Sequence, residues 1–281
     1  MSILTDKTCI VTGATDGIGK ATAMGLAKMG ANVIIVGRNT QKARRVVEEI
    51  RSATQNANIE ALIADFSSMD QIHNLANNFL THHSHLDVLI NNAGLVTQER
   101  QEGQDGMELM FTVNYLAPFL LTNLLLDVMK KSAPARIINV SSFGYKNGDI
   151  HFDDLMLTKS FDHRKAYYQT RLGMVLFTLT LARRLDGSGV TANVLHPGIV
   201  KTTLSHNYMA NPVFRFFEQL IAVTPEKGAK TSLYLASAPE LEGVNGQYFE
   251  KKQVKNLTDK ALNQSLQDRL WKISEELVGI S

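Results

Sequence analysis

The segment Tyr167-Tyr168-Gln169-Thr170-Arg171 carries a phenol and a guanidinium four residues apart. On a helix that spacing is about one turn, so the two side chains share a face. Just upstream, a strand-like run ends Asn139-Val140-Ser141-Ser142 and adds a hydroxyl. A phenol can give up or take back a proton. A serine hydroxyl can hydrogen-bond a carbonyl oxygen, and a neighbouring cation stabilises phenolate. Such a set suits reduction of a carbonyl, where a developing alkoxide needs a proton.

The elements that must position these residues alternate in type. Thr8–Val11, Asn32–Val36, Ile59–Ala64, Val88–Ile90, Arg136–Val140, Val190–Leu195 and Gln247–Phe249 read as strands. Ile18–Met29, Thr40–Ala53, Met69–Thr81, Gly106–Lys131, Asp162–Leu185 and Glu226–Ala236 read as helices. Several strands are apolar throughout, as a parallel sheet covered on both faces requires. The pattern predicts an α/β fold: a single-domain, Rossmann-type, doubly wound parallel β-sheet flanked by helices. No repeat or linker divides residues 1–281.

The first strand runs into Thr12-Gly13-Ala14-Thr15-Asp16-Gly17-Ile18-Gly19 and then a helix. Its backbone N–H groups and the helix N-terminus are placed to face a pyrophosphate. Gly13 permits the turn, Gly17 the close approach, and Gly19 the packing of helix on strand. The second strand ends Val36-Gly37-Arg38-Asn39, without the carboxylate that an NAD site uses for the ribose hydroxyl. Arg38, with Lys42 a turn later, suits a 2′-phosphate, so NADP(H) is favoured over NAD(H). The alternative is two solvated surface cations. Asp65, before Phe66, could accept from an adenine amino group or cap the next helix. Asn91-Asn92-Ala93-Gly94 forms a small-residue loop at the carboxyl edge of the sheet, where a cofactor would pass, or a plain turn.

Composition excludes several other classes. In 281 residues, 29 basic side chains nearly balance 27 acidic ones, which argues against a nucleic-acid footprint. The single cysteine, Cys9, allows no disulfide framework or thiolate metal site and reads as a buried hydrophobe. His82, His83 and His85 read as a polar turn, not a metal site. The apolar stretches Leu116–Leu126 and Leu172–Leu181 are shorter than a bilayer span. With no signal peptide evident, a soluble cytoplasmic protein is expected.

Taken together, Thr12–Gly19, Asn91–Gly94, the Ser142/Tyr167 pair and Pro197-Gly198-Ile199-Val200-Lys201-Thr202 resemble the signatures of the short-chain dehydrogenase/reductase family, in its order and over nearly the whole chain. Within it the chain looks most like the retinol dehydrogenase group, through Arg38-Asn39, Leu116–Leu126, Leu181–Leu185 with Gly189-Val190-Thr191-Ala192, and Arg269–Leu277. The N-terminal membrane anchor of many members of that group is not expected here. The resemblance implies a catalytic tetrad of Asn114, Ser142, Tyr167 and the base at 171. In it, the Asn114 main-chain carbonyl anchors a water; by residue type alone, Asn114 could equally bond a neighbouring backbone group. The cofactor contacts implied are Gly13, Thr15, Asp16, Gly17, Ile18, Gly19, Asn92, Ala93, Gly94, Tyr167, Arg171, Pro197, Gly198, Val200 and Thr202, with Arg38, Asn39, Lys42, Asp65 and Phe66 towards the adenosine.

One position departs from the pattern. The family places a lysine where Arg171 stands, and that lysine supplies charge, binds the nicotinamide ribose and passes protons to water. Arginine keeps the charge but is effectively never deprotonated. Tyr168 shares its face with Leu172 and is expected to point elsewhere. Lys165 cannot share the face of Tyr167. The leading expectation is an active reductase with Tyr167 as general acid/base; the alternative is a cofactor-binding, catalytically impaired sensor or scaffold.

On the substrate side, 201–225 matches the family's substrate lid. It carries Met209, Val213, Phe214, Phe216, Phe217, Leu220 and Ile221, which suggests a lipophilic aldehyde, ketone or alcohol. The same residues could form an amphipathic helix on the core or make a weak peripheral membrane contact. His151 and Phe152 are further candidates to line the pocket. Residues 255–281 read as a C-terminal helical extension with Trp271 as a core anchor. The resemblance also implies a homodimer through the Gly106–Lys131 and Asp162–Leu185 segments.

Overall fold

Short apolar strands alternate with longer amphipathic helices, and the chain winds them into one sheet. The computed structural model describes residues 3–201 and 222–280. In chain order these form β1 (Thr8–Thr12), α1 (Gly17–Lys28), β2 (Asn32–Gly37), α2 (Thr40–Thr54), β3 (Ile59–Ile63), α3 (Met69–His82) and β4 (Val88–Asn91). Then come α4 (Leu109–Lys131), β5 (Ala135–Val140), a 3₁₀ turn (Phe143–Asn147), α5 (His163–Arg184) and β6 (Val190–His196). The chain closes with α6 (Pro225–Ser237), β7 (Tyr248–Glu250), β8 (Gln253–Val254) and α7 (Gln264–Val278).

The strand order is β3-β2-β1-β4-β5-β6-β7-β8. All pairings are parallel except β7 with β8. The order reverses between β1 and β4, and the crevice beyond the carboxyl ends of these strands is where such sheets take ligands. Sequence reading missed β8. It follows Lys251 and Lys252, whose φ values of 50° and 65° form the hairpin turn without the asparagine or glycine that usually signals one.

Alternate residues of each central strand feed two cores. Val11, Val33, Ile35 and Ile90 pack beneath α1 and α2. Ile10, Ile34, Leu89, Ile137 and Val194 pack beneath α3, α4 and α5. Cys9 is fully buried as expected, and burial pushes its thiol well above the usual range.

Helix α4 is long and apolar enough to cross a membrane by length and composition, but 78% of its apolar window is buried inside the fold. Leu116–Leu126 is the apolar middle of this longer helix. Helix α7 lies against α5, and Trp271 (3% exposed) sits with its ring centroid 4.9 Å from Phe119 of α4 and 5.7 Å from Phe177 of α5. Tyr115 and Ser274 share a buried 2.7 Å hydrogen bond across the same joint. Trp271 is therefore a core anchor, and α7 packs on apolar surface of α4 and α5.

Candidate active site

The glycine loop is shaped by close approach. Gly13 has φ +63°, and a Cβ there would lie 2.8 Å from Ala93 Cα. A Cβ on Gly19 would lie 2.4 Å from both Gly13 O and Asn92 Nδ2. These positions let the loops after β1 and β4 meet. Thr12 Oγ1 accepts from the N–H groups of Asn92 (2.9 Å) and Ala93 (3.0 Å), while Asn92 Nδ2 donates to Thr12 O (2.8 Å). Asp16 caps α1, accepting from Gly17 N at 2.8 Å. Its other oxygen takes a 2.9 Å bond from Lys42 Nζ, which holds the carboxyl below the usual carboxylate range.

Lys42 is thus engaged with Asp16. Arg38 is exposed at the end of β2 and makes no ion pair among the described residues. Asn39 caps α2 through Lys42 N (2.8 Å). Thr15 packs against Gly37, where a Cβ would come within 2.5 Å of Thr15 Cγ2. Asp65 does not cap the following helix. Its Oδ1 accepts from Ser67 N at 2.9 Å, and Ser68 is the cap of α3. Phe66 is buried in the α3–α4 core.

Asn114 lies in a π turn, Thr112–Leu116, inside α4. Such single turns recur at functional sites. Its amide clamps the loop after β4, taking Leu95 N at 2.8 Å and giving to Leu95 O at 2.9 Å. It also reaches Thr170 Oγ1 on α5 at 3.4 Å. The backbone it bonds is therefore that of a distant loop.

Ser142 caps the 3₁₀ turn, accepting from Gly144 N at 3.2 Å, which leaves its hydroxyl proton available to a ligand oxygen. Tyr167 and Arg171 share a face of α5 as their spacing requires. The guanidinium carbon stands 4.7 Å from the Tyr167 ring centroid, and Nη1 donates to Val140 O at 3.2 Å. Arg171 is only 4% exposed, and its Nε is buried without a hydrogen-bond partner among the described residues. Ser141 Oγ donates to the Arg171 carbonyl (2.9 Å), fixing this turn of α5 to the end of β5.

A cleft of about 290 Å³ joins these pieces. Gly13, Asp16, Gly17, Ile18 and Gly19 line one end, with Asn92, Ala93 and Gly94 beside them. Ser142, Tyr167, Arg171, Pro197, Gly198 and Val200 line the rest. Asn114, Thr15, Arg38, Asn39, Lys42, Asp65 and Phe66 are not in its wall. Thr202 and residues 202–221 of the expected lid lie outside the described residues. The two ends of that segment are joined by a bridge between Val200 and Val223.

Two expectations about the wall need correction. Tyr168 does line the cleft, its ring lying where a Cβ on Gly144 would touch it at 2.8 Å. The cleft wraps far enough round α5 to take adjacent residues. His151 and Phe152 do not line it, and Phe152 is covered by the Arg269 guanidinium at 3.9 Å. Sequence reading missed Phe143 and His196, which do line it. The clustered histidines each have a separate partner: Asn78 O for His82, Glu60 for His83 and Ser84 for His85.

The family model for short chain dehydrogenase matches residues 7–212. The chain belongs to that family. Its members are oxidoreductases, and so is this enzyme. It is 42% identical to human retinol dehydrogenase 14 over 291 residues, covering 98% of this chain and 87% of that protein. It is 43% identical to human polyprenol dehydrogenase over 284 residues, covering 98% and 86%. A solved structure from Beutenbergia cavernae, provisionally assigned as an NAD(P) dependent gluconate 5-dehydrogenase with bound NADP at low occupancy, superimposes with a TM-score of 0.73. It is 27% identical and covers 89% of this chain and 96% of that one. In this short-chain dehydrogenase the cleft at the β1/β4 reversal fits a nicotinamide dinucleotide. Its loops are pared to glycine where phosphate would approach, and the Arg171 Nε in its wall has no partner among the described residues.

Proposed function

We propose that this enzyme interconverts a carbonyl and an alcohol on a lipophilic small molecule, with NADP(H) as cofactor and Tyr167 as general acid/base. The observation that carries the reading is the buried guanidinium of Arg171 stacked on Tyr167 beside Ser142 in one cleft.

The cofactor, when bound, supplies the hydride to the carbonyl carbon or takes it back. Ser142 donates its hydroxyl proton to the carbonyl oxygen and holds it towards Tyr167. In the reducing direction, the Tyr167 hydroxyl proton passes to the developing alkoxide. The phenolate left behind lies under a fixed positive charge, and Arg171 stabilises it without moving. Gly13, Thr15, Asp16, Gly17, Ile18, Gly19, Asn92, Ala93 and Gly94 cradle the dinucleotide. Pro197, Gly198, Val200 and Thr202 hold its nicotinamide end, and the Arg171 Nε takes a ribose hydroxyl. Asn114 positions the loop after β4. Arg38 takes the 2′-phosphate at the adenosine end, where Asn39, Lys42, Asp65 and Phe66 also lie. The Lys42–Asp16 pair keeps the phosphate loop from presenting a bare carboxylate to an anion. A lipophilic substrate is supported by the names of the retinol and polyprenol relatives.

One observation favours a second reading. Arg171 is tied to Val140 O and cannot release a proton. A protein that holds NADP(H) but turns over slowly, as a sensor or scaffold, is its consequence. The test is NADPH oxidation with a panel of lipophilic aldehydes and ketones, for wild type and Tyr167→Phe. Turnover in wild type that falls ~100-fold or more in the variant, at unchanged NADPH affinity, supports the enzyme reading. Tight NADPH binding with no turnover in either supports the second.

A further inference from the structure

His196 is a buried imidazole in the wall of the reaction cleft whose Nδ1 has no partner among the described residues. It ends β6, in which Val190, Ala192 and Val194 face the α4–α5 core and Leu195 faces the opposite one. The two-residue period of a strand therefore turns the His196 side chain to the α5 side, the side that carries Tyr167. The residue is 7% exposed and borders the same cleft as Ser142 and Tyr167. Its Nδ1 is buried with no hydrogen-bond partner among the described residues.

Phe143 completes this part of the wall. It follows Ser142 directly, stands with its ring 5.7 Å from the imidazole, and is 48% exposed. The wall beyond Ser142 thus combines an open apolar ring with a buried hydrogen-bonding one. Burial pushes the imidazole pKa down to about 4, with Lys146 and Lys251 adding to the effect and Glu250 opposing it. The ring is neutral near pH ~7, so it offers one donor and one acceptor. None of the steps assigned to Ser142, Tyr167 and Arg171 uses it.

We propose that His196 is a specificity-determining residue that hydrogen-bonds a second oxygen of the substrate, a hydroxyl or carbonyl set apart from the reacting carbon, while Phe143 packs against the apolar chain between them. The substrate class is then an oxygenated lipophilic carbonyl compound, not a plain hydrocarbon aldehyde. This rests on the carbonyl–alcohol reading above. A site that holds a buried polar group for its ligand discriminates against the analogue that leaves the group unpaired.

The test compares nonanal with its singly hydroxylated analogues as substrates for wild type, His196→Phe and His196→Gln. We expect wild type to favour at least one hydroxylated aldehyde by ~10-fold or more in kcat/KM. His196→Phe should bring that ratio near ~1, and His196→Gln should restore part of the preference. A ratio unchanged in His196→Phe, or a parallel loss on every aldehyde, overturns the proposal. A second measurement does not depend on turnover. In the wild-type complex with NADP⁺, the ring ¹⁵N resonances of His196 should move on adding a hydroxylated aldehyde and not on adding nonanal. Resonances that move with NADP⁺ alone, or with neither aldehyde, overturn it. If no aldehyde is reduced but the resonances respond as expected, the carbonyl–alcohol reading fails and the His196 contact stands.

Discussion

The guanidinium of Arg171 lies 4.7 Å over the ring of Tyr167, one helical turn away, and both are more than nine-tenths buried. A desolvated contact of this kind contributes about 2 kcal/mol. It sits where a phenolate would form. Replacing Arg171 by methionine keeps much of the bulk and removes the charge. We expect Arg171→Met to lower kcat/KM for carbonyl reduction by ~100-fold or more. NADPH affinity should also weaken, because the unpartnered Nε is lost. Steady-state kinetics with fluorescence titration of NADPH checks both; an active Arg171→Met would remove the charge from the mechanism.

Cofactor choice should reside in Arg38. Lys42 already bonds Asp16, whereas Arg38 is exposed and has no ion pair among the described residues. A charge-assisted contact to a 2′-phosphate is worth about 1.5–3 kcal/mol. Arg38→Ala is therefore expected to raise the Kd for NADPH by ~10- to 100-fold and leave that for NADH unchanged. Lys42→Ala should do less. Equal weakening of both cofactors by Arg38→Ala would assign Arg38 a role outside phosphate recognition.

Helix α7 should keep the chain monomeric and hold it together. Trp271 packs on Phe119 and Phe177, and the Arg184 guanidinium covers its ring at 4.1 Å. Its Nε1 donates to Glu275 at 2.5 Å. Deleting so large a buried ring typically costs about 3–5 kcal/mol. Trp271→Ala should show that loss in urea unfolding. Wild type should sediment at the mass of one chain, because α7 already covers the α4–α5 surface. A stable wild-type dimer would mean that pairing uses another face.

Acid should expose the burial of His196. Its imidazole is held at about 4, below the ordinary ~6.5. The unfolded chain therefore takes up a proton first as pH falls. The stability from burying a neutral ring is complete above ~6.5 and is lost as pH drops towards 4, by about 3 kcal/mol in all. The Glu108 carboxyl, which burial raises, acts in the opposite sense. Comparing wild type with His196→Gln isolates the imidazole. Urea unfolding near pH ~7 and ~4 should show wild type losing about 3 kcal/mol more than the variant. Parallel losses would mean the ring is not buried in solution.

Much of this was readable before any coordinates, because it rests on local rules. Strand and helix periods gave the doubly wound sheet. The spacing of Tyr167 and Arg171 placed them on one face, and Gly13, Gly17 and Gly19 marked the glycine loop after β1. What stayed hidden depends on distant neighbours. Asp65 could be read as a helix cap or an adenine acceptor, but the cap of α3 is Ser68, directly before Met69. Tyr168 looked averted, because face counting ignores how far a cleft wraps round a helix. The π turn at Asn114 leaves no periodicity signal within one long apolar helix. His196 is one histidine among eight. Only the packing around β6 shows its Nδ1 to be buried and, among the described residues, unpaired.

The central claim is that Arg171 works in place of lysine. NADPH oxidation by wild type and Arg171→Lys, side by side on lipophilic aldehydes and ketones, tests it most directly. We expect wild type to turn over, with lysine changing kcat/KM by less than ~10-fold, about 1.4 kcal/mol. A wild type that binds NADPH but stays silent, beside an active lysine variant, would contradict it.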